Sequence, residues 1–250
     1  MFHALKIQHL FLIGFLLFAN GCGYFSIRNI DKAGQGTTSI NLSRKRLTFI
    51  PYEVFAMRNL EELWLFKNQL SEISPQIGQL KNLTKLYLGR NNLTQLPEEI
   101  GELTALKTLS LRNNSLDSLP SSFGKLKNLE HLILDHNNFK TLPKVLGELP
   151  NLKTLSVNFN QLEEIDPSIF KGGAIELLYL NYNLLTQIPE EIIHLSNLHE
   201  LHLDHAGLML ELPDALCNLR RLDILVIDKS IQVPRCLFVR RAPGMELIIR

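Results

Sequence analysis

A phrase of 23 residues repeats along most of this chain, and it constrains the fold more than any other feature of the sequence. One copy runs from Leu83 to Leu103 and reads L-x-x-L-x-L-x-x-N-x-L followed by x-x-L-P-x-x-I-x-x-L. The copies start 23 residues apart up to Leu198, and the last step is 24 residues. They open at Thr37, Leu60, Leu83, Leu106, Leu129, Leu152, Ile175, Leu198 and Leu222.

Each part of the phrase has its own structural meaning. The L-x-L centre, such as Leu86 to Leu88, alternates as a short strand does, so stacked copies form a parallel sheet. The Leu-Pro step ends the strand because proline cannot donate to a ladder. The apolar residues that follow have helical spacing and predict a short helical or 3-10 turn. The sequence therefore predicts an α/β solenoid, or horseshoe, with a concave parallel β-sheet and convex short turns.

Asparagine occupies one slot of the phrase in six consecutive copies. Its amide both donates and accepts hydrogen bonds, so it can satisfy backbone groups where the chain turns inward. The first copy has Lys45 in this slot, and the last two have Ala206 and Ser230, as expected for outer copies that act as caps. The predicted structural asparagine ladder consists of Asn68, Asn91, Asn114, Asn137, Asn160 and Asn183.

These copies resemble the 23-residue repeat of bacterial leucine-rich repeat proteins. The segments 82–103 and 128–149 match that repeat closely, with Phe139 and Leu146 as apolar variants. The resemblance covers about four-fifths of the chain. It implies a solenoid that binds proteins, and it names no particular partner.

The first 21 residues have the character of an export signal. Lys6 precedes an apolar run over residues 10–18, which is too short for a transmembrane span of about 20 residues. Gly21-Cys22 resembles the end of a bacterial lipobox, although Ala19 and Asn20 depart from the usual pattern. That resemblance implies lipid attachment at Cys22, and ordinary cleavage nearby is the alternative. Gly23, rather than aspartate, favours the outer membrane by the same resemblance.

We therefore divide the chain into four parts. Residues 1–21 are the signal peptide, and residues 22–36 are a lipid-attached tether with an N-terminal cap. Residues 37–233 form the array of about nine repeats, and residues 234–250 form a C-terminal cap. Cys217 and Cys236 lie in adjacent coils, which leaves open both a disulfide and two buried thiols.

Charge and motifs exclude several function classes. Residues 1–21 contain one charged side chain, Lys6, so the chain from Cys22 onwards has 25 basic and 25 acidic side chains. A balanced chain gives no reason to expect nucleic acid as a partner. The sequence has no nucleophile motif and no glycine loop that would cradle phosphate. We expect neither enzymatic activity nor a cofactor, and membrane contact only through the lipid.

Three columns of residues on the strands should face the concave side. They are the centre of L-x-L and the two positions just before the asparagine. Aromatic and arginine side chains, which are typical anchors of interfaces, recur there. The candidate partner-binding residues are Trp64, Phe66, Tyr87, Arg90, Arg112, Phe159, Tyr179 and Tyr182. Arg44 and Lys67 lie beside the first aromatic group.

The C-terminal end of this face should be acidic. Glu200, Asp204 and Asp228 occur there with His202 and His205, which gives the face a basic-aromatic end and an acidic end. Histidine with carboxylate suits zinc, and the best local set is His202 with Asp204 and Asp228. No short ligand motif supports that set, so we expect a solvated polar surface rather than a metal site.

The leading functional hypothesis is a membrane-anchored lipoprotein that binds a protein through its concave face, with adhesion or host contact as a role. An alternative is a glycan or cell-wall binder that uses Trp64, Tyr87, Tyr179 and Tyr182 as stacking platforms. A third is a structural role in the cell envelope.

Overall fold

The computed structural model describes residues 36–239 and 245–250, and it confirms the solenoid with a parallel sheet on one side and short helical turns on the other. The signal peptide, Cys22 and all of the tether except Gly36 lie outside the described residues. Within the described ranges, no helix is both long and apolar enough to cross a membrane.

Ten parallel strands form one sheet in which the spatial order follows the chain. The strands are β1 (Ser39–Asn41), β2 (Glu62–Trp64), β3 (Lys85–Tyr87), β4 (Thr108–Ser110), β5 (His131–Ile133), β6 (Thr154–Ser156), β7 (Leu177–Tyr179), β8 (Glu200–His202), β9 (Ile224–Ile227) and β10 (Glu246–Ile249).

Each of the inner copies crosses the other side of the solenoid as a short helical turn. Two α-helical turns are α1 (Tyr52–Phe55) and α2 (Cys236–Val239). The 3-10 helices span Pro75–Gln79, Glu98–Glu102, Ser121–Lys125, Lys144–Glu148, Pro167–Gly172, Glu190–His194 and Asp214–Asn218. Five of them begin directly after the proline of the Leu-Pro or Ile-Pro step, at residues 98, 121, 144, 190 and 214. Proline therefore both ends the extended segment and precedes the turn.

Stacked leucines form one continuous core between the sheet and the turns. The strands pair in register, so that Leu63 faces Leu86 and Leu86 faces Leu109 across neighbouring repeats. All three are fully buried, as are their equivalents further along the array. Each strand has only three or four residues. A single repeat has too little apolar surface to fold alone, so the array depends on contacts between neighbours.

The asparagines join consecutive repeats through their side-chain amides. Asn91 Nδ2 donates to the carbonyl of Leu88 in its own repeat, at 2.8 Å, and to that of Leu65 in the preceding repeat, at 3.0 Å. Its Oδ1 accepts from the backbone N–H of Leu70 at 3.1 Å. The other five asparagines of the ladder repeat this pattern, with bonds to residues 3, 21 and 26 positions earlier. The ladder thus satisfies backbone groups that the turn would leave buried and unpaired.

Beyond the last asparagine of the ladder, a backbone carbonyl replaces the asparagine oxygen as hydrogen-bond acceptor. Ala206 fills the asparagine slot of the eighth repeat, and its carbonyl accepts the N–H of Leu185 at 2.7 Å. An asparagine Oδ1 accepts the equivalent N–H in the preceding repeats. The substitution brings Gly207 against the Leu185 carbonyl so closely that a Cβ at Gly207 would overlap that oxygen. The extra residue of this 24-residue repeat is accommodated just beyond, where Met209 has a positive φ.

The C-terminal cap contains an element that we did not predict from the sequence. Strand β10 pairs with β9 in parallel, with Ile248 opposite Val226. Val226 is buried, although its column is predicted to be exposed. Cys217 and Cys236, whose pairing the sequence leaves open, form a disulfide with Cα atoms 5.9 Å apart. The bond ties α2 to the preceding 3-10 helix.

We expect Asn91→Ala to lower the free energy of unfolding by about 1–3 kcal/mol, because the buried Leu70 N–H loses its partner and the carbonyls of Leu65 and Leu88 each lose one of two amide donors. Asn92 is the next residue, is exposed and bonds through its backbone N–H rather than its amide. Asn92→Ala should change the free energy of unfolding by less than about 0.5 kcal/mol. Denaturant unfolding followed by circular dichroism measures both, and equal effects of the two substitutions would contradict the ladder's structural role.

Gly207→Ala should destabilise the array by about 1–3 kcal/mol, because the added methyl group overlaps the Leu185 carbonyl. Gly36 has no atom within 4 Å of the corresponding Cβ position, so Gly36→Ala is the matched control. A thermal melt compares the two. If Gly207→Ala has the same melting temperature as the unsubstituted protein, the close approach of Gly207 to the Leu185 carbonyl is wrong.

Candidate binding surface on the concave face

In each of the first eight repeats, one side chain projects from a backbone position with positive φ. The position lies immediately before the asparagine slot, and its φ values run from 53° to 60°. Non-glycine residues adopt this left-handed conformation rarely, at a cost of about 1–2 kcal/mol each. Because the backbone is the same in these eight repeats, the side chains form a single row. We name it the αL row; it contains Arg44, Lys67, Arg90, Asn113, His136, Phe159, Tyr182 and His205.

A concavity lies at the N-terminal end of the face, where the first aromatic group was predicted. The rings of Trp64 and Tyr87 stack with centroids 3.9 Å apart and planes at 19°. Phe66 lies beside them, and all three side chains are partly exposed. The concavity has a volume of about 630 Å³. Its lining consists of Asn41, Ser43, Arg44, Lys45, Trp64, Phe66, Tyr87 and Ser110.

Gly89 shapes the floor next to this concavity, a role that its sequence position alone did not indicate. A Cβ at Gly89 would lie 2.9 Å from Cγ of Arg112 and 3.3 Å from Cδ2 of Phe66. The missing side chain therefore lets Phe66 and Arg112 approach each other across the Gly89 backbone. Only the neighbours in the flanking repeats show this requirement, so the pattern within one repeat could not reveal it.

Positive charge borders the concavity. The guanidinium carbon of Arg90 lies 5.8 Å from the ring centroid of Phe66, within the range of a cation–π contact. Arg112 donates from Nε to Oδ1 of Asn113 at 3.4 Å. Among the described residues, Arg44, Lys67, Arg90 and Arg112 form no salt bridge. All four side chains are exposed, so their charge remains available at the surface.

A different cation in the same region is neutralised. Lys85 Nζ lies 2.7 Å from Oε1 of Glu62 on the neighbouring strand. The hydrogen bond from Lys85 lowers the pKa of Glu62, and a smaller contribution comes from the Trp64 side chain. The same bond raises the pKa of Lys85. The Glu62 carboxylate therefore pairs with Lys85 rather than with the cations of the αL row.

The second predicted aromatic group separates into two sets. Phe159 and Tyr182 belong to the αL row and stack on each other with centroids 4.3 Å apart. His136 stacks on the other face of Phe159 at 4.2 Å, and His205 on the other face of Tyr182 at 4.9 Å. The four planes are within 8° of parallel. Phe159 and Tyr182 are each 43% exposed, and they present ring edges because their faces are covered.

Tyr179 lies in the central column and is held by its own neighbours. Its hydroxyl donates to Oε2 of Glu200 at 2.9 Å, and its ring meets His202 at 4.6 Å with a tilt of 46°. Partial burial, followed by the contact with the Glu200 carboxylate, raises the pKa of Tyr179 to about 12. His202 Nε2 lies 3.2 Å from the same Glu200 oxygen. These side chains form a local polar cluster within the face.

The prediction of an acidic C-terminal end of the face is wrong for Asp204 and Asp228, because both are buried. Asp204 is 4% exposed; His205 Nδ1 lies 3.0 Å from its Oδ1, and Arg250 Nη1 lies 3.7 Å from its Oδ2. Asp228 is 9% exposed and accepts the backbone N–H groups of His205 and Ser230. Burial raises the pKa of Asp228, but the hydrogen bonds from Ser230 and His205 together outweigh it and lower the pKa. The carboxylates thus serve the local structure.

The histidine beside these aspartates is His205, whereas the sequence pairs them with His202. One ligand atom each from Asp204, His205 and Asp228 lies within 4.8 Å of the others, so this set has the donors to hold a cation. The same atoms already bond to one another and to Ser230. Asp204 also faces the positive Arg250, which competes with a metal ion for its carboxylate.

A second polar ladder lies beside the asparagine ladder, and we did not predict it. Asp135 Oδ1 accepts the backbone N–H of Asn158, Asn158 Oδ1 accepts that of Asn181, and Asn181 Oδ1 accepts that of Asp204. The bonds measure 2.8–2.9 Å. These side chains occupy a column that the sequence assigned to the exposed face. They join neighbouring repeats in the C-terminal half of the sheet.

Comparison with known proteins agrees with this architecture. Three leucine-rich repeat family profiles match the chain: two copies of leucine-rich repeats at residues 58–103, a leucine-rich repeat region at residues 86–171 and a leucine-rich repeat at residues 150–208. No curated protein sequence matches the chain significantly.

Solved structures from bacteria and plants are similar to the chain. A leucine-rich repeat protein of Leptospira interrogans has 30% identity and a TM-score of 0.60, over 83% of this chain and 64% of that one. The plant peptide hormone receptor RGFR1 in complex with RGF2 has 32% identity and a TM-score of 0.73, over 86% and 36%. Internalin C2 of Listeria monocytogenes has 26% identity and a TM-score of 0.67, over 76% and 80%. The chain thus spans less than two thirds of the first two proteins. It has the leucine-rich repeat fold, with family matches that run without a gap from residue 58 to residue 208.

Proposed function

We propose that this chain is a binding module that holds a protein partner against its concave face, with the main contact at the concavity around Trp64, Phe66 and Tyr87. One observation carries the proposal. The concavity combines partly exposed aromatic rings with the cations Arg44 and Arg90, which form no salt bridge among the described residues. Aromatic and arginine side chains are the residues that most often dominate binding energy at interfaces.

The geometry of the face supports a rigid platform. The sheet under the concavity is held by the asparagine ladder and by buried leucines on every strand, so its side chains are displayed at fixed spacing. A surface that is already ordered loses little conformational entropy when a partner binds. The similar plant receptor was solved in complex with RGF2, which is consistent with peptide or protein recognition by such a platform.

Ring stacking favours a polypeptide over a glycan. Both faces of Phe159 and of Tyr182 are covered by neighbouring rings, and Trp64 and Tyr87 each cover one face of the other. A sugar that stacks on an aromatic side chain needs an open ring face. Tyr179, another residue of the glycan hypothesis, is held by Glu200 and His202. Of the four predicted stacking platforms, Tyr182 has no open ring face, Tyr179 is held in a polar cluster, and Trp64 and Tyr87 each have one face covered.

The sequence signal extends the proposal to the cell envelope. Gly21-Cys22 at the end of a short apolar run supports lipid attachment at Cys22, which would hold the module at a membrane surface without spanning it. We place the protein at the outer membrane or cell surface, where its role is adhesion or host contact. The binding face does not depend on this placement.

Replacing Trp64 and Tyr87 together by alanine should weaken binding about tenfold or more, because the floor of the concavity is lost. Ligands selected from a displayed random peptide library can be measured by fluorescence anisotropy. The matched control is Phe49→Ala with Tyr52→Ala, which removes two exposed aromatic side chains outside the strands. Unchanged affinity in the first variant, or an equal loss in the control, would place the site elsewhere.

Cys22→Ala should abolish incorporation of a labelled fatty acid and release the protein from the membrane fraction. The double substitution Cys217→Ala with Cys236→Ala should retain the label, since those sulfurs form the disulfide. Protease treatment of intact cells then reports whether the module faces outward. Lack of label in the unsubstituted protein, or label that persists in Cys22→Ala, would rule out lipidation at this cysteine.

A further inference from the structure

The N-terminal half of the αL row carries three successive cations. Arg44, Lys67 and Arg90 occupy equivalent positions in consecutive repeats. Their backbone N–H groups bond to the next repeat at 2.8–2.9 Å, so the row continues the spacing of the parallel sheet. Neighbouring members are about 4.8 Å apart along the solenoid. The exposed guanidinium of Arg112 adds a fourth positive charge in the adjacent column.

This arrangement differs from the charge pattern elsewhere on the sheet and turns. Across other repeat boundaries, lysines face carboxylates: Lys81 faces Glu102 at 2.8 Å, Lys144 faces Asp166 at 2.9 Å and Lys153 faces Glu130 at 3.0 Å. Opposite charges on neighbouring strands stabilise a sheet, whereas like charges directly opposite destabilise it. Three cations in sequence therefore work against the stability of the array, and folding gives no reason for them.

A binding partner supplies the missing negative charge. We infer that the concave face takes an acidic segment of a polypeptide, which lies along the solenoid axis with its carboxylates on Arg44, Lys67 and Arg90 and its apolar side chains in the concavity at Trp64. This inference rests on the proposed function and specifies its partner. Guanidinium groups bind carboxylates through two parallel hydrogen bonds, which gives orientation as well as affinity.

The length of the row limits the segment. Three cations span two repeat spacings, about 10 Å in total. An extended chain covers that distance with about three residues. The acidic part of the ligand is therefore short, with two or three carboxylates within three or four consecutive residues. An aromatic or aliphatic residue should follow closely, because the concavity at Trp64 adjoins the cations.

The opposite end of the face fits this orientation. Asp204 and Asp228, which would have attracted a basic partner, are buried and satisfied by His205, Arg250 and Ser230. The face thus has free positive charge at one end and no matching free negative charge from these aspartates at the other. Electrostatic steering would then bring the acidic segment to the N-terminal repeats first.

The test selects ligands from a random peptide library displayed through the peptides' C-termini, so that no terminal carboxylate is offered. We expect the selected peptides to be enriched in closely spaced aspartate or glutamate next to an apolar residue. Their affinity should fall about tenfold or more in Arg44→Glu with Arg90→Glu, and it should also fall as salt rises. The control Lys171→Glu with Arg220→Glu makes the same charge change on exposed residues outside the strands and should change affinity less than about twofold.

A second readout separates binding from folding. In Arg44→Glu with Arg90→Glu, Lys67 lies between two carboxylates, so the variant should melt at the same temperature or higher while it loses ligand. Selected peptides without acidic enrichment, or equal losses in the control, would overturn the inference. Binding of heparin but of no peptide would assign the row to polysaccharide and overturn it as well. Loss of binding in the Trp64 and Tyr87 variant, with full binding in the charge variant, would retain the proposed function and reject its acidic partner.

Discussion

The whole array depends on an asparagine side-chain amide that recurs in six repeats and bonds to its own repeat and to the preceding one. Each asparagine of the ladder donates to a carbonyl in its own repeat and to one in the preceding repeat, while its oxygen accepts a preceding N–H. Short strands and short turns leave many backbone groups at the bends, and the amide satisfies them without adding chain length. Repeats are thereby joined by directional bonds as well as by leucine packing, which fixes the positions of the exposed side chains.

The sequence predicted the features that recur in every repeat. The leucines, the asparagine slot and the Leu-Pro step are local signals, so the sheet, the turns and the aromatic group at Trp64 and Tyr87 could be placed from the pattern. Features that depend on contacts between repeats could not be predicted from the pattern within one repeat. Asp204 is buried and faces Arg250, which lies 46 residues later in the chain. Strand β10 has neither the repeat phrase nor an asparagine, so only its pairing with β9 reveals it.

Side chains of the same chemical type have different roles along the face because their neighbours differ. Tyr87 stacks on Trp64 at the edge of a concavity, Tyr182 is covered by rings on both faces, and Tyr179 donates to Glu200. The three tyrosines are equivalent as anchors in the sequence. In the structure only Tyr87 lines the concavity. The available binding surface is therefore smaller than the aromatic content of the columns suggests, and it is concentrated in the N-terminal repeats.

The αL row also places side chains at a regular spacing along the solenoid. Its backbone is the same in eight consecutive repeats, so each repeat contributes one side chain at a step of about 4.8 Å. An extended partner lying along the row advances about 3.3 Å per residue, so three of its residues match two repeats. Every third residue of the partner is then level with a residue of the row. At the repeat between two such contacts, the partner's residues and the row are out of register. Such a surface is selective for the spacing of a ligand's side chains as well as for their chemistry. Replacing one residue of the row changes the chemistry at one position without moving the other side chains.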